Sequence, residues 1–221
     1  MKNLKGLYFL LLTALMACGS GDFREPPTVI FGEPQPAEVE NLPSFPKRIQ
    51  GQFRGLAEGN ILNISDKLII STSEFDDKIS IASLDSSTIL IGDTLQEKSS
   101  GKKEKVLIQG DSLVRHYSYS DTVYRINFDN VLRKFKGHYF LNTRFEGENW
   151  DVKQLSLESG KLILCSIRTK EEIDNLQEIT ETEGDTTLPR KFNLSKKQFR
   201  EFLGKDGFRE KSVYIRENGL R

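Results

Sequence analysis

Histidine and cysteine, the side chains on which much acid–base, nucleophilic and metal chemistry near neutral pH depends, are almost missing from this chain. Only His116 and His138 are present, and only Cys18 and Cys165. No Gly-x-Ser-x-Gly elbow, P-loop, His-Glu-x-x-His, Cys-x-x-Cys or Gly-x-Gly-x-x-Gly occurs, so the architectures those motifs carry are not expected. The reading is therefore non-enzymatic, with no catalytic residues, no metal and no cofactor; the enzyme class left open is a hydrolase working through carboxylates. An excess of either charge is lacking too. Lys and Arg total 32 and Asp and Glu total 32, a balance without electrostatic bias toward nucleic acid. Long apolar runs are also missing: the most apolar stretch, Leu7 to Ala17, is about eleven residues, whereas a membrane-spanning helix needs roughly twenty.

What is present begins with that short stretch. Lys2 and Lys5 precede it, and it ends in Leu15-Met16-Ala17-Cys18. A positive n-region, an apolar core and small residues before a cleavage point make a processing signal. The four residues resemble the lipobox of bacterial lipoproteins. The resemblance implies cleavage before Cys18 and a diacylglycerol on its sulfur, with a further acyl chain on the new amino terminus. Two or more chains hold a protein stably on a bilayer, each buried methylene contributing about 0.8 kcal/mol. Gly19 stands where an aspartate could favour inner-membrane retention, so the expected location is the outer membrane of a bacterial envelope.

Residues 1–17 are thus read as signal peptide, leaving 221 − 17 = 204 residues with 30 basic against 32 acidic side chains. Once Cys18 is lipidated, Cys165 has no disulfide partner. Its surroundings, Leu162-Ile163-Leu164-Cys165-Ser166-Ile167, are those of a small buried apolar residue. Residues 18–47 hold six of the seven prolines and read as a semi-rigid tether, because proline fixes its own φ and extends its predecessor. Val29, Ile30 and Phe31 are the exception, with the character of an edge strand.

From Arg48 onward, short apolar alternations broken every eight to twelve residues by Gly and Asx turns, Asp76-Asp77 and Ser120-Asp121 among them, predict an antiparallel β-meander. Gly51-Gln52-Phe53 with Leu62 and Ile64 is echoed by Gly137-His138-Tyr139 with Leu155 and Leu157. The echo reads as two tandem β-modules, residues 48–132 and 133–221. Helices are expected late: Thr169 with Glu172, and Ser195 with Gln198, form capping boxes ahead of apolar residues at helical spacing, and Gly204 is placed as a C′ residue. The fold class is mainly β (α+β). The Gly-x-aromatic triplets also resemble the opening of a lipocalin's first strand, which implies a barrel carrying an apolar ligand.

Candidate binding residues are Tyr117, Tyr119 and Tyr124, the first two on one face of a strand and the third on the strand expected to return beside it. Aromatic clusters of this kind stack on sugars or anchor a partner chain, and also stabilise exposed sheets. His116 and His138 with Asp121, and the acidic turn Glu146 to Asp151, are the nearest approaches to metal ligand sets. Lys102-Lys103-Glu104-Lys105 is a basic hairpin tip able to meet lipid phosphates. The expected partners are the bilayer, through acylated Cys18, and an envelope protein, glycan or lipid.

Overall fold

A computed structural model describes residues 26–182 and 187–217, so the signal segment and Cys18 lie outside the described residues. In chain order the strands are β1 (Val29–Phe31), β2 (Asn41–Leu42), β3 (Gly51–Gly55), β4 (Ile61–Ile64), β5 (Leu68–Ser80), β6 (Thr88–Ile91), β7 (Thr94–Glu97) and β8 (Lys103–Lys105). They continue with β9 (Leu107–Gln109), β10 (Ser112–Arg125), β11 (Asn130–Phe135), β12 (His138–Phe145), β13 (Asn149–Glu158), β14 (Lys161–Ser166), β15 (Arg190–Phe192) and β16 (Glu210–Arg216). Two helices, α1 (Lys170–Thr180) and α2 (Lys196–Gly204), flank β15.

One large sheet runs β2-β11-β12-β13-β14-β16-β3-β4-β5-β10-β9, with β1 against both β13 and β15. Its strands alternate side chains between two cores. Tyr139 and Leu141 of β12 point to an inner core with Phe53, Leu62, Ile69, Leu132 and Tyr214. Phe140, between them, points to an outer core with Val152, Cys165 and the helices. Burial of such side chains is worth roughly 1.5–3 kcal/mol each, and a strand that serves both faces is pinned in register, since a one-residue slip would exchange the cores. Tyr124 near one end of the sheet and Leu132 near the other share the inner core, and the Tyr124 hydroxyl donates to the Asn142 carbonyl at 3.4 Å. The sheet is therefore coiled on itself, and its inside is filled by side chains, Phe45 and Ile49 among them.

The helices form where their caps predict. Thr169 and Ser195 accept from the backbone N–H of Glu172 and Gln198, which reach back in turn. Ile173, Leu176 and Ile179 of α1 and Phe199 and Phe202 of α2 cover the outer face of β12–β14. Buried Glu172 accepts from the backbone N–H groups of Arg168, Thr169 and Arg209, tying α1 to the start of β16. Gly204 is the last helical residue, not C′; Lys205 caps the helix and Asp206 takes the positive φ of 53°.

Three sequence expectations change. Much of the supposed tether is folded: Val29, Ile30 and Phe31 form a strand, as their character suggested, and Ala37 and Phe45 are buried as well. Asn142 donates to the Gln35 carbonyl at 2.9 Å, and Arg133 donates to the Pro36 carbonyl at 2.8 Å. The proline residues shape a strap on the body, whose apolar side chains gain more from burial than an extended linker would retain. The two expected modules share one sheet and one inner core, because β16 from the second lies between β14 and β3. Third, Asp76-Asp77 and Ser120-Asp121 are not turns. Asp76 faces His116, Asp77 faces Arg115, and Ser120 faces Thr72, so opposite charges and paired hydroxyls across the strands suit residues that elsewhere favour turns.

The third change creates the molecule's most distinctive part. Strands β5 and β10 run on as a two-stranded arm, because β4 accompanies β5 only through Ile69–Thr72 and β9 accompanies β10 only through Ser112–Val114. With 14 residues, β10 spans roughly 44 Å at about 3.4 Å per residue. At the arm's end, β6, β7 and β8 form a small sheet, and Leu95, Val106 and Leu113 form its core.

Candidate functional site

Register divides the arm into two unlike faces. Directly opposed residues point the same way, so one face carries Ile79 with Leu113, Asp77 with Arg115, Phe75 with Tyr117, and Ser73 with Tyr119. The other carries Asp76 with His116, Glu74 with Ser118 and Thr72 with Ser120. That second face is polar and internally bonded: His116 Nδ1 lies 2.9 Å from Asp76 Oδ1, and the Thr72 and Ser120 hydroxyls lie 2.8 Å apart.

The first face is an aromatic shelf. The Phe75 and Tyr117 rings stack with centroids 5.3 Å apart and planes 23° apart, and Arg115 Nη1 donates to the Tyr117 hydroxyl at 3.3 Å. Phe75 is 55% exposed and Tyr119 65%. At one end the shelf runs into the tip core through Ile79 and Leu113, and at the other into the inner core through Ile69 and Tyr124. Among the described residues no further strand pairs with β5 from Ser73 to Ile79 or with β10 from Arg115 to Ser120. The tip adds exposed Ile89, Ile91, Leu107 and Ile108.

Of the sequence candidates, Tyr117 and Tyr119 sit on the open shelf, and Tyr124 lies where the shelf enters the inner core. All three belong to one strand, and a bulge between Thr122 and Tyr124 brings Tyr124 opposite Ile69, on the same face as Phe75 and Tyr117. There it is buried, and desolvation pushes its hydroxyl pKa far upward. Phe75, which the sequence reading passed over, supplies the ring that Tyr117 stacks on. Its signal was a lone aromatic among polar residues in what looked like a turn.

His116 and His138 are kept apart, one on the polar face of the arm and the other beside α2, and no cluster of three or more His, Cys, Asp or Glu able to hold a metal occurs among the described residues. A polar cavity of about 180 Å³ is lined by His138, Gln154, Ser156, Glu158, Cys165 and Lys211, among others. Burial pushes the Cys165 thiol up to about 11, against a partial opposing pull from Lys211. The thiol is therefore protonated at neutral pH and a weak nucleophile. Lys102 to Lys105 lie in the tip sheet and the loop before it, where Lys105 approaches Asp93 at 3.8 Å. The Glu146 to Asp151 turn is closed by Asn149 donating to the Glu146 carbonyl at 2.9 Å.

No protein-family model, curated protein or solved structure matches this chain.

Proposed function

We propose that this chain is an outer-membrane lipoprotein, anchored through acylated Cys18, that works by binding a partner in the envelope and not by catalysis. The arm is its binding element. The observation that carries the reading is the aromatic shelf: exposed Tyr119 flanks a stacked Phe75–Tyr117 pair, whose Phe75 is itself exposed, on a ribbon with open backbone edges. Exposed apolar surface of this kind is costly unless something covers it, and an open strand edge is a template for pairing with another chain.

The chemistry favours an extended segment of another envelope protein over a glycan. Phe75 and Tyr117 each turn one ring face to the other, which leaves less aromatic area for a sugar, while unpaired N–H and C=O groups on the edges suit a peptide. A carrier of an apolar ligand would need an open interior, and Phe45, Ile49 and Tyr139 occupy the inside of the coiled sheet.

Two experiments test this. Cys18→Ala should abolish incorporation of labelled fatty acid and release the chain from membranes; continued labelling of that variant sinks the anchor. Charge placed on the shelf, as Phe75→Arg with Tyr119→Arg, should remove any partner crosslinked to the chain in intact envelopes while leaving thermal unfolding unchanged. Retention of the same partner by the double variant would remove the arm from the reading.

A further inference from the structure

The end of the body opposite the arm's tip is built unlike the rest of its surface. Pro26 and Pro27 line the mouth of a cavity of about 240 Å³ whose walls include Val123, Leu141 and Phe145. Arg144 lines it too, and its guanidinium lies 4.6 Å from the centre of the Trp150 ring and 5.6 Å from that of Phe128. Phe128 stands at the tip of the turn joining β10 to β11 and is 83% exposed, the most exposed large apolar side chain among the described residues.

That turn is braced in its position. Asp129 N–H donates to the Asn127 side chain at 2.9 Å, Arg144 Nε donates to the Asp129 carboxylate at 3.0 Å, and Arg144 N–H donates to the Asp129 carbonyl at 2.7 Å. The phenyl ring is thus presented to solvent by a closed network, not left on a slack loop.

The first described residue, Pro26, lies at the same rim. Cys18 precedes Pro26 by eight residues, a reach of at most about 28 Å for a fully extended chain. Pro26 shares its cavity with Arg144, which carries Phe128. We propose that this rim, led by Phe128, is the face the body lays against the lipid bilayer, so that the arm projects away from the membrane. The inference rests on the Cys18 anchor proposed above. It places the tip, and with it Lys102 to Lys105, roughly 44 Å from the rim along β10 at about 3.4 Å per residue.

Charge does not choose the lipid. Lys67, Arg125, Arg144 and Lys153 belong to this end together with Asp66, Asp129, Asp151 and the Glu146–Glu148 turn, and Arg144 is already paired with Asp129. The contact is apolar, and added salt should leave it unchanged.

The test uses the full acylated chain in phosphatidylcholine vesicles, carrying the fluorophore NBD on Phe128→Cys, on Lys67→Cys in the neighbouring turn with Phe128 retained, or on Ile91→Cys at the tip. Cys165 is buried, and the unsubstituted chain serves as the labelling control. Spin-labelled lipid should quench the probes at 128 and 67 several-fold more than the probe at 91. Quenching at 91 equal to or above that at 128 and 67, or none at either rim position, overturns the proposal. Fatty-acid labelling separates the two claims: an acylated, vesicle-bound chain with unquenched rim probes sinks the face and keeps the anchor. A chain that takes no fatty acid but is quenched at the rim keeps the face and sinks the anchor.

Discussion

In the body, Tyr139 and Phe140 are sequence neighbours and both are fully buried, one in each core. In the arm, Phe75 and Tyr117 face each other across two strands with no layer of described residues above them, and Phe75 stays more than half exposed. Both regions use alternating strands with aromatic residues on one face. The difference is what lies over that face: helices and a coiled sheet in the body, solvent in the arm. A region that spends aromatic side chains on burial is a scaffold. A region that holds them out on a braced ribbon leaves apolar surface open to solvent, and the proposal that the body supports and the arm recognises rests on this contrast.

The contrast can be broken by mutation, beginning with the body. Phe140 packs edge-on against Phe199 at 5.0 Å, and Phe140→Ala should destabilise the whole chain by about 3–5 kcal/mol in urea unfolding. A loss under about 1 kcal/mol, the scale of a tolerated surface change, would mean that the outer core is not holding the helices. Leu113 is fully buried in the tip core. Leu113→Ala should cost about 2–4 kcal/mol locally, seen as faster amide exchange across the arm's end while β12–β14 keep their protection. Loss of protection in both regions together would make the arm part of the body's cooperative unit.

Phe75→Ser should change stability by only about 1 kcal/mol, the scale of one aromatic pair. A much larger loss would turn the shelf into a structural element. A further effect is a pH dependence. Burial holds the Cys165 thiol above its ordinary 9.0, at about 11, so the folded chain keeps this proton where the unfolded chain releases it. That contribution is complete below about pH 9 and is lost as pH rises toward about 11. Buried Tyr124 and Tyr214, whose hydroxyls are also pushed up, add in the same direction. Titration of stability from pH 8 to pH 11, compared with Cys165→Ala, isolates the thiol's share; equal slopes in the two proteins would remove it.

Local signals carried much of this architecture. Both capping boxes, the strands with clean alternation and the Gly-x-aromatic triplets that bury Phe53 and Tyr139 were readable, because each depends on residues within a few positions. The strap was legible only at Val29–Phe31, which had the character of a strand; its docking was not, since β1 pairs in parallel with β15 from the far part of the chain, and proline content describes only the local backbone. The arm was hidden for a related reason. Asp76 and Asp77 look like turn residues until His116 and Arg115 stand across from them. Tyr117 and Tyr119 could be named from their spacing, but that none of the described residues forms a layer over their face is visible only in the fold. Phe128 carried a faint signal of its own, an aromatic residue between two turn formers.

The central claim is that recognition belongs to the arm. Its most direct test is a photoactivatable residue in place of Tyr119, with the same residue in place of Lys134 on the exposed surface of β11 as the control, irradiated in intact envelopes. The account predicts one discrete adduct from position 119, none of that size from 134, and loss of the adduct when Phe75→Arg is added. No adduct from 119, or the same adducts from both positions, would contradict it.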